Sequence, residues 1–129
     1  MANIPVKPHP ELIEVDFDRA VSELHKSVEL KGADHVVSEC VIYRAVLDGE
    51  EGIVDKTPVC IVGQVLYQIA PERFMDVGHG AVAQPASSVG ISLSREAYKL
   101  LSDAQAIQDN QIPWGRTVKQ ALALSGVED

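Results

Sequence analysis

A long apolar stretch in the middle of the chain predicts a buried helix. Its apolar side chains recur at helical spacing and extend nearly all the way round, at Val59, Cys60, Ile61, Val62, Val65, Leu66, Ile69 and Ala70. We expect Thr57 to cap this helix and Pro58 to occupy its first turn, where no N–H donor is needed. Because so apolar a helix is normally enclosed by neighbours, it is predicted to lie at the centre of the fold. Gly63 is expected to mark the close approach of another element, which would offset its poor helix propensity.

Three amphipathic helices are predicted outside this stretch. They run from Asp16 to about Leu30, from Ser94 to about Asp109, and from Pro113 to Gly126. Asp16 and Ser94 have side chains suited to the N-cap, and Gly32 suits the left-handed residue after the first helix. Asn110 is expected to take the same position after the helix that Ser94 begins. The short link 110–112 predicts that the last two helices form an antiparallel pair.

Strand-forming residues replace the helical pattern between His35 and Leu47. The next five residues, Asp48–Gly52, include two glycines, which is a turn signal, and Ile53 with Val54 resumes the strand pattern. We therefore predict a β-hairpin in this part of the chain. Since a two-stranded sheet alone is marginally stable, helices or a strand of a partner are expected to support it.

Together these elements predict an α+β fold with four to five helices around a central apolar helix and a small antiparallel β-hairpin. Residues 71–75 are expected to add a helical turn, and the glycine-containing segment 77–90 to form a loop with a short helical turn. A chain of 129 residues is expected to be one domain. We place this domain at residues 15–129 and interpret residues 1–14, which contain three prolines, as an extended arm.

The charge pattern disfavours nucleic acid as a partner. The formal net charge is −8 at pH 7, and the 11 basic residues are scattered, so phosphate groups would be repelled. No apolar run reaches the roughly 20 residues that span a bilayer, so no membrane contact is expected. The Pro-rich N-terminus lacks the apolar region of a signal peptide. We therefore expect a cytoplasmic protein whose cysteines, Cys40 and Cys60, are reduced thiols.

Cys60 is the strongest candidate for a chemical role. In the first turn of the central helix, free N–H groups and the helix dipole would lower the pKa of its thiol, and His35 or His79 could serve as the base. This pattern supports an alternative function, a Cys60-dependent hydrolase or transferase. A buried, unreactive cysteine is favoured, because free cysteine is among the most buried residue types and no hydrolase signature surrounds it.

No metal or cofactor site is predicted. The candidate ligands show neither Cys-x-x-Cys nor His-x-x-x-His spacing; they are Cys40, Cys60, His9, His25, His35 and His79. Gly78 and Gly80 flank His79 without completing a dinucleotide-binding or phosphate-binding motif. A third interpretation of the chain is a small-ligand binder with a pocket under the loop 78–90.

A polar and aromatic cluster surrounds the turn between the last two helices. It consists of Gln105, Gln108, Asp109 and Trp114. The functional interpretation is a recognition surface anchored by Trp114, with Gln108 and Asp109 beside it, since tryptophan is enriched at interface hot spots. The structural interpretation is that the polar side chains tie down the turn while Trp114 fills the groove between the helices. The structural interpretation is favoured, because the one tryptophan of an aromatic-poor chain is expected in the core.

Two stretches carry a resemblance to a known group of proteins. One is Pro58–Leu66, with its Pro-x-Cys-x-x-Gly pattern, and the other joins Gln108-Asp109 to Ile112-Pro113-Trp114-Gly115 and an Ala-rich helix. This order resembles small uncharacterised proteins of actinobacteria and actinobacteriophages, over roughly the C-terminal three-quarters of the chain. The resemblance implies a phage or actinobacterial origin and a role in modulating a host protein. It assigns no catalytic residues.

The sequence as a whole favours a non-enzymatic accessory protein that acts through protein–protein contact. The chain has the pattern of a well-formed core but no catalytic or cofactor signature. The partner is expected to be another protein, for which a host protein and a second copy of the chain both remain open.

Overall fold

The computed structural model describes residues 11–39 and 41–126. In chain order the elements are β1 (Ile13–Val15), α1 (Phe17–Lys31), β2 (Tyr43–Asp48), β3 (Gly52–Pro58), α2 (Ile61–Ile69), a 3₁₀ helix (Pro71–Asp76), α3 (Ala83–Ser88), β4 (Ile91–Leu93), α4 (Arg95–Gln108) and α5 (Trp114–Leu124). The predicted α+β fold is confirmed, with six helical segments and a small antiparallel sheet.

The described strands form two separate pairs. β2 and β3 make the predicted antiparallel hairpin, in which Val46 pairs with Asp55 and Leu47 with Ile53. Val54 is therefore the extra residue of a β-bulge. β1 and β4 form a parallel pair that the sequence did not predict, because strands of three residues are too short to show an alternating pattern. β1 overlaps the end of the predicted arm, and residues 1–10 of that arm lie outside the described residues.

Helix α2 lies at the centre, but its predicted start was wrong. The six residues Ile61–Leu66 are all buried, as expected of a central helix. Thr57 and Pro58 do not begin the helix; they are the last residues of β3, because they pair across the hairpin with Arg44 and Tyr43. The N-cap is Cys60, whose Sγ accepts a hydrogen bond from the N–H of Gly63 at 3.3 Å.

The polar side of α2 faces α1. Gln68 Nε2 donates to the backbone oxygen of Glu23 at 2.9 Å and to its carboxylate at 3.0 Å. Gln68 Oε1 accepts from Ser27 at 3.1 Å and from Gln64 at 2.9 Å. Arg19 completes the network through an ion pair with Glu23. Because each buried polar group has a partner, α2 can be enclosed on this side as well.

Gly63 allows the hairpin to reach α2. A Cβ at this position would overlap the carbonyl oxygen of Ile42 and lie 3.1 Å from its carbonyl carbon. The same oxygen accepts a hydrogen bond from the N–H of Val59 at 3.1 Å. The predicted close approach at Gly63 is thus confirmed, and the approaching element is the residue that precedes β2.

The other helix ends follow local signals. Asp16 and Ser94 cap α1 and α4, accepting from Arg19 N–H at 2.8 Å and Ala97 N–H at 3.1 Å. Gly32 follows α1 with a φ of 101°. After α4 the left-handed residue is Gln111, with a φ of 62°, and not Asn110 as predicted. The segment 77–90 contains α3, a six-residue helix where a loop with one helical turn was expected.

We expect Gly63→Ala to destabilise the fold by about 2–3 kcal/mol, because overpacking against backbone outweighs the better helix propensity of alanine. Gly49→Ala is the matched control. A Cβ there meets nothing within 4 Å, so its effect should stay within about 0.5 kcal/mol. Chemical denaturation measures both, and equal stability of the two variants would contradict the packing described at Gly63.

Candidate functional site

The start of α2 is held by side chains from the end of α4. The backbone N–H of Ile61 donates to Gln108 Oε1 at 2.7 Å, and the N–H of Val62 points to Gln105 Oε1 at 3.4 Å. Together with Cys60 Sγ on the N–H of Gly63, these contacts satisfy the first three N–H groups of a helix whose first residues are fully buried. All three acceptors are uncharged, which suits the interior.

Asp109 lies behind these amides. Its Oδ1 accepts from Gln108 Nε2 at 2.8 Å and from Gln105 Nε2 at 3.4 Å, while its side chain remains exposed. The carboxylate therefore orients the two amides toward α2 and places negative charge near the positive end of the helix dipole. Gln108 itself is fully buried, so it lies in the interior and not on a recognition surface.

Trp114 is also an interior residue. Its side chain has no exposed surface, and its ring meets His35 edge to face with centroids 4.6 Å apart. The backbone N–H groups of Trp114 and Gly115 donate to the carbonyl oxygens of His35 and Ala33, both at 2.9 Å. The turn therefore attaches the start of α5 to the connection after α1, and Trp114 offers no surface to a partner.

The Cys60 thiol is enclosed and kept neutral. Burial raises the pKa of this thiol, and the charge of Asp109 acts in the same direction. Hydrogen bonds from the N–H groups of Gly63 and Val62 and from Gln105 oppose that rise and are outweighed. A nucleophilic cysteine needs a lowered pKa and access for a substrate. Both properties of Cys60 favour the structural role over the hydrolase or transferase alternative.

Neither candidate base is among the groups that act on the Cys60 thiol. His35 packs against Trp114; burial lowers its pKa, and the charge of Lys31 lowers it further. His79 is exposed and stacks on Tyr43, with ring centroids 4.1 Å apart and planes 7° from parallel. The structure thus shows both imidazoles packed against aromatic rings and neither acting on the thiol.

The structure locates most of the candidate metal ligands and a cleft at the loop 78–90. Among residues 11–39 and 41–126, no group of three or more His, Cys, Asp or Glu side chains is placed to hold a metal ion. Two residues considered for such a site, His9 and Cys40, lie outside the described residues. A cleft of about 280 Å³ lies beside α3, lined by Ala83, Ala86 and residues of β4 and α4. Ligand pockets typically measure about 300–1,000 Å³.

A cleft of about 590 Å³ lies where β1 and β4 end and α1 and α4 begin. Helix N-termini attract anions, but Asp16 and Ser94 already accept from first-turn N–H groups of these two helices. Glu14 adds a second carboxylate to the lining, and the cation that also lines it, Arg19, is already paired with Glu23. The negative charge and the satisfied N–H groups disfavour an anionic ligand in this cleft.

The strongest candidate site is the distal half of the hairpin, residues 46–55, here called the hairpin tip. All ten of its residues are exposed. Four of them are aliphatic: Val46, Leu47, Ile53 and Val54. Leu47 and Ile53 lie directly opposite each other in the ladder, and 70% and 47% of their surfaces are exposed. Leu47 and Ile53 thus form an exposed apolar pair, and exposed apolar surface of this kind is found at interaction sites.

The base of the hairpin is fixed to the body of the protein. Tyr43 stacks on His79, and Lys56 Nζ lies 4.4 Å from the centroid of the Tyr43 ring. Lys56 also donates to the backbone oxygen of Val77 at 2.8 Å. The tip is therefore presented by an anchored element. Sequence analysis missed this site, although the aliphatic residues on both sides of the turn at Asp48–Gly52 were its available signal.

Comparisons of the chain with protein-family models, with curated proteins and with solved structures gave no match. Of the helices in the described parts of the chain, none combines the length and the apolar character that crossing a bilayer requires. The function is therefore inferred from the surface and the interior of this chain.

Replacing Gln108 with methionine is expected to destabilise the fold by about 2 kcal/mol, because the buried N–H of Ile61 loses its acceptor. Methionine keeps a similar volume, so packing changes little. Gln120→Met, at an exposed position of α5, is the control and should change stability by less than about 0.5 kcal/mol. If urea denaturation gives both variants the stability of the wild type, Gln108 is not the cap described.

Cys60 in the native protein is expected to resist alkylation near neutral pH, because its thiol is buried and its pKa is raised. The same cysteine should react fully once the chain is unfolded in denaturant. Mass spectrometry of the peptide that contains Cys60 follows both reactions. Rapid labelling in the native state would restore the hydrolase or transferase alternative.

Proposed function

We propose that the chain is a non-enzymatic accessory protein that acts by protein–protein contact through the hairpin tip. The observation that carries this proposal is the exposure of Leu47 and Ile53 at the end of an anchored hairpin. Exposed apolar residues on a fixed element can bind a partner with little loss of conformational entropy. A host protein is the partner that the resemblance to actinobacterial and phage proteins suggests. The proposal places the chain in the cytoplasm, where a free thiol such as that of Cys60 is the default.

The structural roles of the interior residues also support this proposal. The residues that sequence reasoning considered for chemistry or recognition either stabilise the fold or lie apart: Gln108 caps α2, Trp114 fills the core, and Cys60 is enclosed. In the described chain the hairpin tip is thus exposed to a partner, whereas the candidate nucleophile, Cys60, is buried. Enzymatic activity through Cys60 is not proposed, because burial of the thiol and its raised pKa outweigh the hydrogen bonds that would activate it.

The double variant Leu47→Ser/Ile53→Ser tests this function in pull-down from an actinobacterial lysate. We expect the amount of the specifically captured protein to fall by about tenfold or more, because the apolar anchor is lost while the charge is kept. Quantitative mass spectrometry compares wild type and variant. Circular dichroism should show an unchanged fold, because both side chains are exposed.

The matched control removes exposed apolar surface elsewhere. Tyr98→Ser/Leu124→Ser changes two residues of α4 and α5 that are 41% and 60% exposed. This variant should capture the same protein as the wild type. Capture that survives in the tip variant, or that falls equally in the control, would overturn the proposed role of the hairpin tip.

A further inference from the structure

One face of the hairpin packs against the rest of the protein at the base. At the tip the same face is apolar and uncovered. Side chains alternate along a strand, so Tyr43, Ala45 and Leu47 lie on one face of β2. At the base of the hairpin this face contacts the body, where Tyr43 stacks on His79. At the tip the same face carries Leu47 opposite Ile53, and both are exposed. Since a two-stranded sheet is marginal without support on a face, the tip has a surface that a partner can complete.

Negative charge surrounds this surface. Residues 46–55 include no basic residue and four acidic ones, all exposed, at Asp48, Glu50, Glu51 and Asp55. The ion pairs among the described residues are Arg19–Glu23, Arg44–Glu39 and Lys99–Asp103, so none of them neutralises the tip. A partner that buries Leu47 and Ile53 must therefore bring its rim close to carboxylates that no ion pair within the described residues neutralises.

Near the base of the hairpin, the outer edge of β3 is protected against an added strand. The N–H of Lys56 already donates to the side chain of Asp55 at 2.8 Å. Pro58, two residues further on, has no N–H to donate. Proteins protect exposed strand edges in this way. At these two positions β3 offers no free N–H to the main chain of a partner, which favours a contact made by side chains.

We infer that the hairpin tip packs Leu47 and Ile53 against an apolar surface of another protein whose rim is basic. This inference rests on the proposed function and adds the chemistry of the partner. Lysine and arginine on the rim would neutralise the four carboxylates of the tip and speed association. A second copy of the chain is a poor occupant, because two tips would bring four carboxylates against four.

A pair of model peptides tests this chemistry by fluorescence anisotropy. The probe is an amphipathic helical peptide of leucine and lysine, and its comparison peptide replaces lysine with glutamate. The wild type should bind the lysine peptide about tenfold or more tightly than the glutamate peptide. Leu47→Ser/Ile53→Ser, which keeps the charge, and Glu50→Lys/Glu51→Lys, which keeps the apolar pair, should each weaken binding of the lysine peptide by about tenfold or more.

Two controls separate the tip from general attraction to an acidic protein. Glu29→Lys/Glu72→Lys makes the same change in net charge at exposed positions outside the tip, and Tyr98→Ser/Leu124→Ser removes apolar surface elsewhere. Both should bind the lysine peptide like the wild type. Equal weakening in tip and control variants would overturn the inference, and so would a dimer in light scattering that Leu47→Ser/Ile53→Ser abolishes.

The same variants distinguish failure of this inference from failure of the proposed function. If lysate capture depends on Leu47 and Ile53 while Glu50→Lys/Glu51→Lys changes neither capture nor peptide binding, the basic rim is overturned and the proposed function stands. If capture does not depend on Leu47 and Ile53, the proposed function fails and this inference fails with it.

Discussion

The structure depends on satisfying the N–H groups at the start of α2 inside the protein. No water reaches Ile61 and Val62, so an unpaired N–H there would be costly. The fold supplies side-chain amides from the end of α4, with Gln108 nearest at 2.7 Å. Amide oxygens accept these hydrogen bonds without bringing a charge into the core. The end of α4 and the start of α2 are therefore joined through one buried glutamine.

The capping of the start of α2 also determines how the base of the hairpin is held. β3 ends at Pro58 and α2 begins at Ile61, so the strand leads into the capped helix end after two residues. Cys60 N–H donates to the oxygen of Val41 at 3.2 Å, which ties the strand that precedes the helix to the residues before β2. Because the base of the hairpin is attached at these points and at Tyr43, its tip extends from a fixed support. The interior thus positions an exposed surface, and the function we propose belongs to that surface.

Local signals made much of the fold predictable from the sequence. Asp16, Ser94 and Gly32 act on residues within one turn, so their roles could be inferred without knowing the fold. Long-range contacts could not be inferred from the sequence in the same way. Thr57 and Pro58 fit a helix start by local rules, yet pairing with β2 placed them in a strand. Gln108 could be assigned a structural role at its own turn, but its bond to α2 could not be inferred, because its partner, Ile61, lies 47 positions away. The exposure of Leu47 depends on how far along the hairpin the rest of the fold packs, and no local sequence pattern encodes this.

Native-state hydrogen exchange tests the central claim most directly, because it reports the protection of each backbone N–H. If α2 is capped in a dry interior, the N–H of Ile61 should exchange only through global unfolding, while amides in the hairpin tip exchange much faster. The protection of Ile61 should then equal that of the most protected amides in α4. Exchange of the Ile61 N–H as fast as that of residues in the hairpin tip would contradict the account.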